Sequence, residues 1–263
     1  MVVDDRRDRL VLPPGASLGA WWSRVTEVLR GTWPVLVPVL LATVTLPAAA
    51  VELAFQLAEP HPLWLAGAGL VAAAAVALGW SASAFTVTRW AAALPRRPGT
   101  ALRYAAWRFP RVAPWTLLAG ATIGVGLVLL ALPGLALGLM WSMTLPAASF
   151  ERANPLLRSW RLVRGATETV ILRTVVLVGG AVAWTAVLQA IGYAVAPGGG
   201  WLRVVATVAL TGVLGLPAVA VVAAGTLVSY AELRGGELPV RAVTLAGELE
   251  SPRLIVSEPS NRS

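Results

Sequence analysis

Long apolar runs alternate with short charged segments along this chain, and the alternation predicts transmembrane helices. Residues 31–51 carry no charge and the apolar run continues to Phe55. A span of about 23 residues therefore starts at Trp33, enough at ~1.5 Å per residue for ~30 Å of hydrocarbon. Residues 60–88 form a second span. The run 112–150 is too long for one helix, and Leu132-Pro133-Gly134 near its middle is a turn signal that divides it into two short spans. Residues 174–202 and 204–231 supply the fifth and sixth, with Gly-rich Ala196 to Gly200 between them and Trp201 placed as an interfacial anchor.

The charges give these spans a direction. Twenty of the twenty-one arginines fall in four segments, 1–32, 89–111, 151–173 and 232–263, and only Arg203 lies elsewhere. Cytoplasmic loops retain positive residues, so each pair of spans leaves and returns to one side, which predicts cytoplasmic N and C termini in a cytoplasmic (inner) membrane. The same division leaves only Glu52 and Glu59 of the 13 acids on the outer side, so the whole positive excess lies on one face, where it is drawn to anionic lipid headgroups. A reporter active only in the cytoplasm is expected to work when fused after Arg111, Gly165 or Arg234 and to be silent after Gly199; activity at Gly199 would overturn the six-span layout. Residues 1–15, with Asp4, Asp5, Asp8 and Pro13-Pro14, read as a disordered lead, 16–234 as the membrane domain, and 235–263, with Pro239, Pro252 and Pro259, as a flexible cytoplasmic tail. Ala48-Ala49-Ala50 resembles a signal-peptide cleavage site, but the preceding segment is too long and too acidic for one, and cleavage is disfavoured.

Composition agrees: 57% hydrophobic, 13% charged and a mean hydropathy of +0.73 leave too little polar surface for a soluble particle. Every basic residue is arginine, which reads as the codon usage of a GC-rich bacterial genome. The absence of cysteine excludes disulfides and thiolate metal sites, and the single histidine, His61, cannot form a histidine metal cluster. A membrane hydrolase needs a nucleophile with its base, or carboxylates and histidines around a metal, and neither set can be assembled within the spans. There is no Walker loop. The basic charge suits a membrane surface better than a nucleic acid, because the arginines are interleaved with spans and flank tryptophan. The expectation is a protein that is not an enzyme and needs no cofactor.

Three of the arginine segments are also aromatic: Trp21-Trp22-Ser23-Arg24 to Arg30, Arg103 to Arg111 with Tyr104, Trp107 and Phe109, and Arg158 to Arg164 with Trp160. The second and third share a Trp-Arg-x-x-Arg core. In the third, Leu156, Trp160 and Val163 recur at helical spacing opposite Arg158, Arg161 and Arg164, the pattern of a helix lying in the headgroup plane. The predicted fold is thus an all-α integral membrane protein with six transmembrane helices in three hairpins, each preceded by a basic interfacial amphipathic helix. Topology anchoring explains these arginines, and that reading is preferred. The sharper reading makes Arg108, Arg111, Arg158, Arg161 and Arg164 contacts for an anionic lipid headgroup or a cytoplasmic protein partner.

Within the spans, Leu-Pro-Ala recurs at Leu46-Pro47-Ala48, Leu145-Pro146-Ala147 and Leu216-Pro217-Ala218, where proline frees a carbonyl and kinks the helix. Gly67, Gly69, Gly120, Gly124, Gly179 and Gly180 suit close helix packing. Glu52 is the one acid inside a span; either it sits in hydrocarbon as a functional carboxylate, or, the preferred placement, the helix ends there and Glu52 joins Glu59 and His61 in the outer interface. Arg173 can snorkel to the inner interface, and Thr185 and Gln189 can bond across helices.

The stretch Glu151-Arg152-Ala153-Asn154-Pro155-Leu156-Leu157-Arg158-Ser159-Trp160-Arg161-Leu162-Val163-Arg164-Gly165 resembles a segment found midway along bacterial multi-pass proteins related to the membrane domain of glycerophosphodiester phosphodiesterases. It carries a glutamate ending one span, a proline, Arg-Ser, and Leu-x-Arg-Gly before the next. The opening, Leu18 to Arg30 followed by Trp33, looks like the same family's start. The resemblance implies the membrane part without the soluble phosphodiesterase barrel, for which the roughly thirty residues after the last span are too few. Two functions are weighed: a non-catalytic scaffold or lipid-associated module, and a membrane permease subunit relying on a separate ATPase.

Overall fold

In hydrocarbon every backbone group must be bonded within the protein, and long continuous apolar runs do this as helices rather than as the alternating strands of a closed barrel. The computed structural model describes residues 8–57, 62–151, 153–197 and 200–250, and helix is the only regular element among them. In chain order these are α1 (Leu18–Leu40), α2 (Leu46–Leu57), α3 (Pro62–Ala91), α4 (Pro98–Leu129), α5 (Ala131–Met140), α6 (Thr144–Phe150), α7 (Pro155–Gly165), α8 (Thr167–Thr174), α9 (Gly180–Val195), α10 (Gly200–Thr207), α11 (Leu216–Glu237) and α12 (Ala242–Glu250). Among the described residues, 6 helical stretches are long and apolar enough to cross a membrane: Leu18–Val51, Ala66–Ala91, Pro98–Leu129, Ala131–Phe150, Thr167–Val195 and Val208–Glu237. The chain is a polytopic all-α membrane protein.

The basic, aromatic segments differ from expectation. Two of them are not separate helices: Leu18 to Arg30 is the first half of α1, and Arg103 to Arg111 is part of α4. Pro34 and Pro38 in α1, like Pro110 and Pro114 in α4, are four residues apart, so each pair confines its missing bonds to one side and the helix continues. The first segment also buries what was read as an anchor. Trp21 is fully buried and its Nε1 donates to Ser229 Oγ of α11 at 3.0 Å, while Trp21, Val25, Val28, Thr32 and Leu36 form one buried stripe of α1.

Only the third segment stands alone, as α7. Asn154 Oδ1 accepts from the Leu156 and Leu157 amides at 3.0 and 3.3 Å, and Pro155 fills the first helical position. Its buried face is Pro155, Ser159, Leu162 and Val163, rotated from the face expected at Leu156, Trp160 and Val163. Ser159 sets that rotation: its Oγ donates to Met140 O at 2.8 Å and accepts from Met143 N at 3.0 Å, fixing α7 against the turn between α5 and α6. Trp160 is left exposed.

Two of the Leu-Pro-Ala motifs restart an α-helix after a π-helical segment. Leu41–Thr45 precedes Pro47, and Val208–Leu214 precedes Pro217; the third motif opens α6 after a turn. The wider π turn accommodates the carbonyls that proline cannot bond. A further π-helical segment, Val175–Gly179, has no proline and runs into Gly180. The first and last of these segments face each other, for Thr45 Oγ1 donates to Gly212 O at 2.8 Å.

The break in the 112–150 run falls at Leu130, whose backbone is extended, just before the expected turn signal. The six glycines read as packing positions, Gly67, Gly69, Gly120, Gly124, Gly179 and Gly180, have nothing within 4 Å of where a Cβ would stand. Close approach occurs at other glycines. A Cβ on Gly134 would lie 2.4 Å from Leu127 N, one on Gly79 2.7 Å from Val44 Cγ2, and one on Gly225 2.6 Å from Leu177 Cδ2.

Parts of the lead and tail are packed. Within the stretch read as a disordered lead, Leu10 and Leu12 are buried, and Asp8 Oδ1 accepts from the Leu10 and Val11 amides while its Oδ2 accepts from Ala242 N at 2.8 Å. Within the stretch read as a flexible tail, α12 buries Ala242, Leu245, Ala246 and Leu249 against α3 and α6.

Candidate functional site

Arginines from all four charged segments meet at one end of the bundle, bonded mostly to one another's elements. Arg24 Nη1 donates to Asp8 O at 2.8 Å, and Arg96 Nη2 to Gly31 O at 2.9 Å. Of the five arginines singled out from sequence, three are taken up this way. Arg108 is buried, donating through Nε to Tyr104 Oη at 3.1 Å and through Nη2 to Leu249 O at 3.0 Å, with its guanidinium 4.8 Å from the centre of the Trp107 ring. Arg111 Nη2 donates to Glu151 O. Arg158 Nε donates to Glu151 Oε2 at 2.6 Å and Nη1 to Glu237 Oε1 at 3.0 Å, and Tyr230 Oη donates to the remaining Glu151 oxygen at 2.7 Å. Burial pulls the Arg158 pKa down, but the bond to Glu237 and the charge of Glu151 outweigh it and raise the pKa above its ordinary value.

Arg161 and Arg164 are the two of the five that stay exposed. With Leu157 and Trp160, also exposed, they follow an i, i+3, i+4, i+7 pattern and form one outward stripe of α7. At the same end a groove of about 680 Å³ is lined by Arg89, Arg97 and Arg103 with Tyr104 and Trp107; its described lining residues include no acid. Arg97, Arg103 and Trp107 are exposed there.

Sequence reasoning missed the most buried charges. Arg173, expected to snorkel, is 3% exposed and its Nη1 donates to Glu232 Oε2 at 2.7 Å, with Glu232 only 4% exposed. Arg173 Nη2 donates to Ala16 O at 2.9 Å, Ala16 N donates to Glu232 Oε1 at 3.2 Å, and the Trp21 ring lies 5.5 Å from the guanidinium. Arg234 and Glu248 form a second internal pair, tying α11 to α12. Partners 59 residues apart in sequence leave no local signature, although Arg173 itself was conspicuous in an apolar run.

Farther into the spanning segments lies a cavity of about 410 Å³, walled by α3, α9, α11 and the π-helical segments at Val44-Thr45 and Thr211-Gly212. Its lining is mostly apolar, with a few hydroxyls. Thr45 donates to Gly212 O, Thr185 to Ala181 O at 2.8 Å, and Thr211 accepts from Gln189 Nε2 at 3.2 Å, as the sequence suggested for Thr185 and Gln189 in part: only Gln189 bonds across helices. Ser83 is different. Its neighbours Ser81, Thr86 and Thr88 each donate to a carbonyl four residues back at 2.7–2.8 Å, but Ser83 Oγ, fully buried, has no partner among the described residues. Such a hydroxyl costs about 1–3 kcal/mol unless something else bonds it.

Glu52 falls in α2, but its side chain, like Glu59 and His61, lies outside the described residues. Among the described residues no group of three or more His, Cys, Asp or Glu could hold a metal ion. No protein-family model, curated protein or solved structure matches the chain.

Proposed function

We propose that the protein is a non-catalytic, lipid-associated module of the cytoplasmic membrane, with its arginine-rich end and both termini in the cytoplasm and anionic headgroups bound at that end. The carrying observation is which arginines remain outward. Internal bonds occupy Arg108, Arg111, Arg158 and Arg173, whereas Arg97, Arg103, Arg161 and Arg164 are exposed beside Trp107, Leu157 and Trp160. Guanidinium and indole groups presented together at a membrane boundary are the combination that headgroups select, each arginine contributing about 1 kcal/mol near an anionic surface. The resemblance of residues 151–165 to the glycerophosphodiester phosphodiesterase membrane domain is proposed for the membrane part alone. The apolar cavity favours a lipid role over a permease subunit, whose route would be expected to carry more polar lining.

The test is lipid selectivity. Protein purified from a mixture of phosphatidylglycerol and phosphatidylcholine is expected to retain the anionic lipid above its bulk fraction by native mass spectrometry. Changing Arg97, Arg103, Arg161 and Arg164 together to glutamine is expected to return the ratio to bulk with an unchanged melting temperature. Arg158→Gln, by contrast, is expected to lower the melting temperature and leave the ratio alone. Retained enrichment in the fourfold variant would rule the reading out, and a co-purifying ATPase would point to the permease.

A further inference from the structure

The cavity beside Ser83 has a shape, a depth and one unsatisfied group, and together these specify an occupant. We propose that it holds one acyl chain of a glycerolipid, whose ester carbonyl accepts a hydrogen bond from Ser83 Oγ when that buried hydroxyl rotates toward the cavity. This requires the chain to span a membrane but does not depend on the arginine-rich end binding anionic headgroups.

Three observations converge on it. The first is the medium: the cavity lies within the membrane-spanning segments and its lining includes Val76 and Val219, which are 44% and 36% exposed, so it opens sideways to lipid. Hydrocarbon is the solvent on that side, and a mostly apolar space of this size, within the usual ~300–1,000 Å³ of ligand pockets, takes hydrocarbon before water. The second is how the space is held open. The π-helical segments at Leu41–Thr45 and Val208–Leu214 are locked together by the Thr45 to Gly212 bond, and the missing side chain of Gly79 admits Val44. π-helical turns of this kind recur at functional sites.

The third is depth. Ser83 precedes Arg89 by six residues, about 9 Å along α3. The headgroup zone of one leaflet is roughly 5–8 Å deep, so a lipid with its phosphate near the level of Arg89 places its ester groups close to Ser83. Val76, seven residues farther from Arg89, lies about 10 Å deeper, which gives the chain beyond the ester a path along the cavity. A serine that back-bonded to Gly79 O, as Ser81 does to Ala77 O, would offer no proton to such a carbonyl.

The full chain, reconstituted in phosphatidylcholine vesicles containing a trace of phosphatidylcholine with a photoreactive diazirine in one acyl chain, tests this without anionic headgroups. Label is expected to concentrate on the peptides around Thr45 and Gly212 over the more exposed, lipid-facing Val125 to Leu132. Filling the cavity with Ala218→Trp or, more mildly, Ala181→Leu should lower that label about fivefold or more at unchanged melting temperature. An ether-linked analogue, which lacks the carbonyl, should label wild-type protein about five- to tenfold less than the ester and should label Ser83→Ala and wild type alike. Label spread evenly over lipid-facing helices, or unchanged by the correctly folded Ala181→Leu variant, overturns the site. Equal labelling of wild type by ester and ether overturns the role of Ser83. Neither result bears on anionic-lipid selectivity at the arginine-rich end.

Discussion

Arg173→Ala and Glu232→Ala are each expected to lower stability by about 3–5 kcal/mol, because each leaves a charge buried without its counter-ion. Both side chains are almost completely buried, and the pair is joined by two contacts, Nη1 to Oε2 at 2.7 Å and Nη2 to Oε1 at 3.3 Å. It is also the point where three separate parts of the chain are tied, since the same two side chains bond the Ala16 carbonyl and amide and the Arg173 guanidinium lies beside Trp21 of α1. Arg173→Lys should recover little, because a single ammonium cannot serve both Glu232 oxygens and Ala16 O in that planar arrangement. Arg173→Met with Glu232→Leu is expected to regain more than half of the loss, yet to leave the Ala16 carbonyl without its Arg173 donor, while Ala16 N keeps its bond to Pro13 O at 3.2 Å. That double variant should therefore fold with the chain around Ala16 less firmly held, seen as faster proteolysis near residue 16, while the melting temperature recovers most but not all of the way to wild type. Denaturant or thermal unfolding in mild detergent checks the single variants, and a loss below about 1 kcal/mol would show that the pair is hydrated rather than buried.

The arginine pattern carried more of the architecture than any other feature, and its success and its limit have one cause. Positive charge is excluded from hydrocarbon, so the places where arginine returns mark the ends of spans, and the apolar stretches between them became six long apolar helices. Charge count says nothing about pairing. Arg108, Arg111 and Arg158 look the same in sequence as Arg161 and Arg164, and only the packing of α7, α11 and α12 decides which are consumed internally. Ser83 was hidden for a similar reason: serine in a span normally bonds its own helix, and nothing local distinguishes it from Ser81.

Other features were legible and misread. Ala242, Leu245, Ala246 and Leu249 recur at i, i+3, i+4 and i+7, a helical face sitting in plain view in a segment dismissed for its prolines. Pro34, Pro38, Pro110 and Pro114 lie inside α1 and α4, which run unbroken through what the sequence reads as an interfacial helix followed by a separate span. Glycine misled because lipid-facing and packing glycines have the same side chain, and the choice between them depends on which face of the helix meets a neighbour.

That distinction gives the other large expected effect, at Gly134. In lipid no hydrophobic force drives helices together, so a tight contact relies on close backbone approach. The α4–α5 hairpin is such a case: Val128, Leu132 and Leu135 point outward, and Gly126 and Gly134 bring the two backbones together. A Cβ on Gly134 would stand 2.4 Å from Leu127 N and 2.7 Å from Gly126 C, atoms that cannot move without shifting α4 itself. Gly134→Val is therefore expected to cost about 2–3 kcal/mol or more and to open the hairpin, whereas Gly120→Val, with nothing within 4 Å, should be nearly neutral. Because the chain has no cysteine, the geometry can be read directly. Ile123→Cys with Gly138→Cys places thiols at facing positions, since a Cβ on Gly138 would stand 4.0 Å from Ile123 Cγ2, and they should cross-link readily in the otherwise wild-type protein. Adding Gly134→Val should slow that cross-link at least tenfold, and an unchanged rate would mean that the two helices are held together by something other than the glycine contact.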